Sequence, residues 1–235
     1  ELAHINRDMG NEEKSISNYR QACELNPALI SSWMSLYEYF KKNNNKPALN
    51  HATEQINKLK SLPNMLLYID QVMNEGRLGV AELKCREFLK KNPTHTYAMS
   101  QLSEIANRLG HFDDAELLLE KAVQFNPDDG ELRMKYALVL RKKQKFAKTM
   151  EQVNILCDKY PDNLAYQAQK ASEIMQNGQH EDAIDLFDDI LSKNPHNFST
   201  FTSKGHALKT LGKTDDAIES YQSAYKIRPD HGEAF

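Results

Sequence analysis

The sequence predicts an all-α array of antiparallel helix pairs, and three observations lead to it. Five prolines, Pro93, Pro127, Pro161, Pro195 and Pro229, stand 34 residues apart in a chain that holds only 8 prolines, which marks an internal repeat. Gly76, Gly110, Gly178 and Gly212 each precede one of those prolines by 17 residues, and Gly10 precedes Pro27 by the same interval, so each unit contains two elements. Between the marks apolar residues recur at helical spacing: Leu102, Ile105, Ala106 and Leu109 before Gly110, then Ala115, Leu118, Leu119, Ala122 and Val123 before Pro127.

The punctuation accounts for each element. Glycine just past a helix end takes the left-handed conformation without a Cβ clash, and proline beyond the second helix cannot continue it. Asp113, Asp182 and Asp215 fall just before or in the first turn of a second helix, where a carboxylate suits the free N–H groups. In chain order the units are a partial repeat over 1–29, repeats over 30–61, 62–95, 96–129, 130–163, 164–197 and 198–231, and the start of a further unit at 232–235. Repeat 30–61 departs from the pattern: Ser61 replaces the proline, Asn44 replaces the glycine and the unit is two residues short, although Trp33, Leu36, Tyr37 and Phe40 read as a first helix. Repeat 130–163 carries Gln144 at the glycine position and Thr149 where other repeats have alanine.

Those alanines, Ala81, Ala115, Ala183 and Ala217, occupy one position of the second helix, and bulky Tyr19, Leu119, Phe187 and Tyr221 share the position four residues later. With the closing proline and the 34-residue period, the pattern resembles the tetratricopeptide repeat over essentially the whole chain. The resemblance implies a single right-handed superhelical solenoid over 1–235 whose first helices line a concave groove that binds a peptide or a partner protein. Carried over by position, the groove residues are Met73, Tyr97, Ser100, Glu104, Arg108, Met134, Leu138, Arg141, Lys142, Met175, His206 and Lys209. The polarizable methionines beside Tyr97 and Leu138 suit an apolar ligand face, and Arg108, Arg141 and Lys142 suit its carboxylates, so the expected ligand is an acidic, amphipathic segment. The alternative for the methionines is packing between repeats. A lysine-asparagine clamp for a C-terminal carboxylate, known from chaperone adaptors of the family, is missing: the corresponding pairs include Met34/Glu38, Leu66/Asp70 and Ser100/Glu104, and acids there oppose such a ligand.

Composition narrows the classes further. Hydrophobic content is 40% with a mean hydropathy of -0.68, and no apolar run approaches the ~20 residues that span a bilayer, which predicts a soluble, cytoplasmic chain that does not engage membrane. Glu1 at the start, inside a first helix, suggests a piece of a longer protein. Cys23, Cys85 and Cys157 fall on second helices of different repeats, as buried thiols rather than a disulfide framework. No metal site or cofactor is expected: the histidines lack paired spacing, no cysteine pair has zinc-ligand spacing, and Leu211-Gly212-Lys213-Thr214 is not a phosphate loop, because the leading glycine position is Ala207.

The net charge of -3 hides an uneven distribution: Lys and Arg stand against Asp and Glu as 2 to 7 in repeat 96–129, 8 to 4 in repeat 130–163 and 2 to 6 in repeat 164–197. The basic repeat is either a binding patch or an electrostatic match to its acidic neighbours. Nucleic-acid binding is disfavoured by the flanking acids. Finally, Lys204 to Gly212 and Ile227 to Phe235 are similar to the last repeats before the catalytic domain of bacterial tetratricopeptide-containing sulfotransferases. That resemblance implies a non-enzymatic recruiting segment of a sulfotransferase; the alternatives are a stand-alone scaffold or assembly factor, or the substrate-recruiting array of a glycosyltransferase.

Overall fold

A computed structural model describes residues 6, 11–26 and 28–228. Among the described residues there are 13 α-helices and no strand: α1 (Glu12–Leu25), α2 (Ile30–Lys42), α3 (Lys46–Ser61), α4 (Asn64–Asn74), α5 (Leu78–Lys91), α6 (Thr96–Arg108), α7 (Phe112–Phe125), α8 (Gly130–Lys142), α9 (Phe146–Lys159), α10 (Leu164–Gln176), α11 (His180–Lys193), α12 (Phe198–Thr210) and α13 (Thr214–Ile227). Gly10, Pro27, Pro229 and the expected further unit at 232–235 lie outside the described residues. The all-helical class predicted from the repeat is the observed one. The chain divides into two compact units, residues 1–109 and 110–235. In the first, α1 packs on α2, α2 on α3, α4 on α5 and α5 on α6, with an added contact of α4 on α6; in the second, α7 to α13 pack each on the next, with an added contact of α10 on α12.

Local chemistry sets the helix ends. The second residue after each first helix adopts a left-handed conformation, with φ of 78° at Gly76, 80° at Gly110, 84° at Gly178 and 75° at Gly212. The two departures from glycine keep the geometry, since Asn44 has φ 52° and Gln144 has φ 56°. The N–H one residue beyond then reaches back to the carbonyl five residues earlier, as Lys145 to Leu140 at 3.0 Å, Gln179 to Ile174 at 3.2 Å and Lys213 to Leu208 at 3.0 Å. Turn geometry at Gln144, uncertain from its side chain, is thus imposed by the helix pair on both sides of it.

The second helices end on an extended residue before each proline, where a helical conformation would clash with the ring. Asn92, Asn126 and Asn194 each donate a last N–H four residues back. Two residues past the proline a side chain caps the next first helix: Asp129 Oδ1 accepts from Leu132 N–H at 3.0 Å, Asn163 Oδ1 from Ala165 N–H at 3.0 Å and Asn197 Oδ1 from Thr200 N–H at 3.2 Å. Where Ser61 replaces the proline, α3 runs to 16 residues and α4 starts after Pro63 with 11, so helix replaces the usual loop.

Packing inside three of the pairs follows size complementarity. Gly205 on α12 sits so close to α13 that a Cβ there would lie 2.6 Å from the Tyr221 ring. At the same register Ala171 on α10 packs with Phe187 of α11 in one buried cluster. Repeat 62–95 inverts the sizes, with Ile69 on α4 and Cys85 on α5, both fully buried. In the first unit Ile16, Tyr19, Cys23, Leu36, Phe40 and Ala52 form a further core cluster across α1, α2 and α3.

Two stability changes follow. Gln144→Gly relieves a left-handed L-residue and should raise the unfolding free energy by about 1 kcal/mol, whereas Gly178→Ala should lower it by a similar amount; equal midpoints in denaturant melts would contradict the turn assignment. Gly205→Ala should cost about 1–3 kcal/mol by overpacking, and Tyr221→Leu in the same chain should recover part of that loss, a coupling that a double-mutant cycle measures.

Candidate functional site

The first helices place the expected groove residues in two separate sets. In the first unit Asp70, Tyr97 and Gln101 join α4 to α6. Asp70 is 5% exposed; one carboxylate oxygen accepts the Tyr97 hydroxyl at 2.6 Å and the other accepts Gln101 Nε2 at 2.5 Å, while the same nitrogen donates to the Leu66 carbonyl at 2.9 Å. Arg108 donates through Nε to Glu104 at 2.8 Å and through Nη1 to the Met73 carbonyl at 3.3 Å. Met73 and Ser100 are buried. These two correct the expectation of an open surface: a first helix touches its neighbours on more than one side, and the strip left to solvent is narrower than positional transfer implies.

In the second unit Met134 and Leu138 are half-buried along α8, Lys142 is exposed, and Lys209 is exposed at the end of α12. Arg141 donates through Nη1 to Glu173 Oε1 at 3.4 Å, and Glu173, whose side chain is 3% exposed, also accepts from Gln169 Nε2 at 2.5 Å. Met175 packs on the cluster around Phe187, the alternative held open for the methionines. His206 is exposed, stacks edge-on with Tyr221 at 5.4 Å and shares a hydrogen bond with its hydroxyl at 2.9 Å. Lys142 Nζ lies 5.9 Å above the Phe112 ring.

Thus the guanidinium groups expected to meet ligand carboxylates, Arg108 and Arg141, already hold carboxylates of this chain. Sequence reasoning missed Glu173, Gln101 and Gln169; a polar residue on the apolar side of a first helix is the signal that marks them, because a buried polar group needs a designated partner. Gly212 and Lys213 occupy the helix-closing turn and the cap of α13, so Leu211 to Thr214 has a structural duty.

The basic repeat answers its acidic neighbours. Lys143 donates to both Asp113 and Glu116, Lys145 to Glu116 at 2.7 Å, and Lys159 to Asp128. Burial pushes the Glu116 carboxyl up, but hydrogen bonds from Lys143 and Lys145 outweigh it and hold the group below the usual carboxylate range. Hydrogen bonds to Asp113 and Glu116 raise Lys143 above the ordinary lysine value. Thiols lie in apolar surroundings: burial raises Cys23 to about 11 and Cys85 to about 12, and the Cys85 thiol donates to the Ala98 carbonyl at 3.1 Å. Such thiols are poor nucleophiles. Among the described residues no three His, Cys, Asp or Glu side chains converge to hold a metal ion, and no helix is long and apolar enough to cross a membrane.

Because the folded state depresses Glu116, its ion pairs stabilise fully above pH 4.5 and are lost as pH falls through the lowered value. The unfolding free energy should therefore drop between neutral pH and acid, and Glu116→Gln should flatten that slope. An unchanged slope in urea melts from pH 7 to about pH 3 would exclude this cluster as a contributor.

Comparison with known proteins falls on the same residues as the repeat. The tetratricopeptide repeat family matches residues 1–29 and 198–231, and a second form of the same repeat matches residues 101–163, together more than half of the chain. The human protein O-mannosyl-transferase TMTC1 is 23% identical over 141 residues, which are 58% of this chain and 16% of that protein. Among solved structures, YrrB, described as a TPR protein with an unusual peptide-binding site, superposes with a TM-score of 0.58 at 17% identity over 77% of this chain and 94% of its own. MamA from Desulfovibrio magneticus RS-1 gives 0.63 at 12% identity over 72% and 95%. Repeat period, helix pairs and family match coincide, and the chain belongs to the tetratricopeptide repeat family.

Proposed function

We propose that the chain is a protein-binding module that takes an acidic, amphipathic peptide or helix on the face of its first helices. The observation that carries this reading is the α8 face, where Met134 and Leu138 are only half-buried beside exposed Lys142, an apolar strip with a cationic edge. Lys209 adds a second exposed cation on α12. Arg141 contributes only if a ligand carboxylate displaces Glu173, which competes for the same guanidinium. The likeness to YrrB, named for a peptide-binding site, supports the same class.

For the larger protein we propose a sulfotransferase-type enzyme that uses this segment to recruit its acceptor, supported by the similarity of Lys204 to Gly212 and Ile227 to Phe235 to that family. A second reading, the recruiting array of a glycosyltransferase, is favoured by the 141 residues shared with TMTC1, of whose length this chain spans 16%. Sulfuryl transfer needs backbone N–H groups and basic side chains on the donor's phosphates together with a base at the acceptor oxygen, and the Gly212 turn is committed to closing α12.

Peptides selected from a random display library against the chain should combine acidic with apolar residues. Leu138→Asp should weaken them at least about tenfold, and reversal of Lys142 and Lys209 to Glu should slow association and reduce its salt dependence. Selected peptides indifferent to all three changes would rule out this face. Calorimetric titration with 3′-phosphoadenosine 5′-phosphate should show no binding to the chain; stoichiometric binding lost in Lys213→Ala would refute the structural role of that turn.

A further inference from the structure

A cavity of about 320 Å³ opens between α11 and α13, with α12 beneath it. Its floor is apolar: Phe201 and Leu208 of α12 with Ile184 of α11, of which Leu208 is 4% exposed and the other two are half-buried. The far wall is the side of α13 that carries Asp216, Glu219, Ser220 and Ser223. Two small residues leave the space. Ser220 and Ser223 hold the register of Leu186 and Asp189 on α11; Leu186 packs onto the core cluster around Phe187, whereas Ser220 turns its hydroxyl back to the Asp216 carbonyl at 3.0 Å. A following repeat leaves this side of a second helix open. Asp182, Asp185 and Asp189, the register mates of Asp216, Glu219 and Ser223, are exposed on α11 although α12 and α13 follow it.

In repeat 130–163 the chain itself fills the corresponding place. Arg133, in the register of Phe201, reaches from α8 to α9 and donates through Nη1 to Gln152 Oε1 at 2.7 Å, and Gln152 holds the register of Ser220. Beside it Tyr136 donates to Glu120 at 3.4 Å, in the register of the Lys204 and Asp188 ion pair. The neighbouring contact is thus kept in both repeats. What changes is that a guanidinium and its acceptor give way to an aromatic ring and a short hydroxyl, with room above them.

Charge around the opening is complementary to a guanidinium. Lys204 is engaged by Asp188, while Asp216 and Glu219 are exposed and in no ion pair among the described residues, against Lys213 at one end of the rim. The helices on either side add to the field: α11 carries five acids to one lysine and α13 three to one.

We propose that this cavity receives an arginine from a basic segment of a partner protein, its methylene stem on Phe201 and Ile184 and its guanidinium held by Asp216 and Glu219. A ring below and two carboxylates at the rim favour a planar, weakly hydrated guanidinium over a compact ammonium. The surrounding acids of α11 and α13 speed the encounter, and the filled cavity sets how long the complex lasts. This surface is separate from the first-helix face, and its ligand has the opposite charge.

The probe is a pentapeptide of alternating alanine and arginine, acetylated and amidated, titrated into the isotope-labelled 235-residue chain and followed by NMR. The amide resonances of Asp216, Glu219 and Ser223 should shift, with a Kd of about 1 mM or tighter. Ser220→Leu, which places in α13 the residue that α11 has at 186, should weaken binding at least about tenfold, and Glu219→Lys about fivefold at low salt, with unchanged circular dichroism melts. Should Ser220→Leu disturb the melt, Ser223→Leu at a half-buried position provides the same reading. The matching lysine pentapeptide should bind at least about threefold more weakly. No shift at about 10 mM peptide, or equal affinity for the arginine and lysine peptides, overturns the proposal. So do shifts spread evenly over the acids of α11 and α13 and indifferent to both serine changes, which would mean diffuse charge attraction without a cavity.

Discussion

Each helix pair in this protein turns on one residue that leaves the first helix at positive φ, and the rest of the packing depends on that reversal. The left-handed residue lets the following N–H return to the first helix and aims the second helix back along it, so that within each compact unit the two come into contact at a fixed crossing. Once the crossing is fixed, the side chains that meet there must fit by size: Gly205 admits Tyr221, Ala171 admits Phe187, and Ile69 is balanced by Cys85. Gln144 shows how strong the constraint is. An L-residue accepts the strained conformation because the two helices it joins, and the neighbours on which they pack, would lose far more by any other path.

Polar groups then lock one repeat to the next. Asp70 and Glu173 are carboxylates removed from water on the first-helix side, Asp70 satisfied by Tyr97 and Gln101 of α6 and Glu173 by Gln169 of its own helix and Arg141 of α8. On the second-helix side Glu116 gathers Lys143 and Lys145. These pairs are partly or wholly desolvated, so breaking one leaves a charge without its partner, a larger penalty than the pair's net contribution when made. They hold register between repeats, and they engage Arg141, Lys143 and Lys145, cations that a reading of composition would assign to ligands.

The consequence for function is a first-helix face with few exposed cations and an apolar strip, rather than a strongly basic groove. Selectivity for an acidic partner then has to come from a small number of lysines at the rim and from competition with internal carboxylates such as Glu173.

Much of this was legible in the residues. The prolines, the glycines and the small residues on the second helices recur because backbone geometry at a helix end and steric room at a helix crossing are local demands, and local demands leave a periodic trace. From that trace came the helical class, the helix pairs and the match of the basic repeat to its acidic neighbours as one of two open readings. The partners of individual polar groups were not legible. Ser100 and Met73 were expected in the open and are buried, and Arg108 and Arg141 were expected to await a ligand and already hold Glu104 and Glu173. Which side of a first helix remains exposed depends on how far two neighbouring helices, separated by about a repeat in sequence, close over it. That is a property of the assembled packing, where burial and hydrogen-bond partners are decided together, and no residue carries it alone.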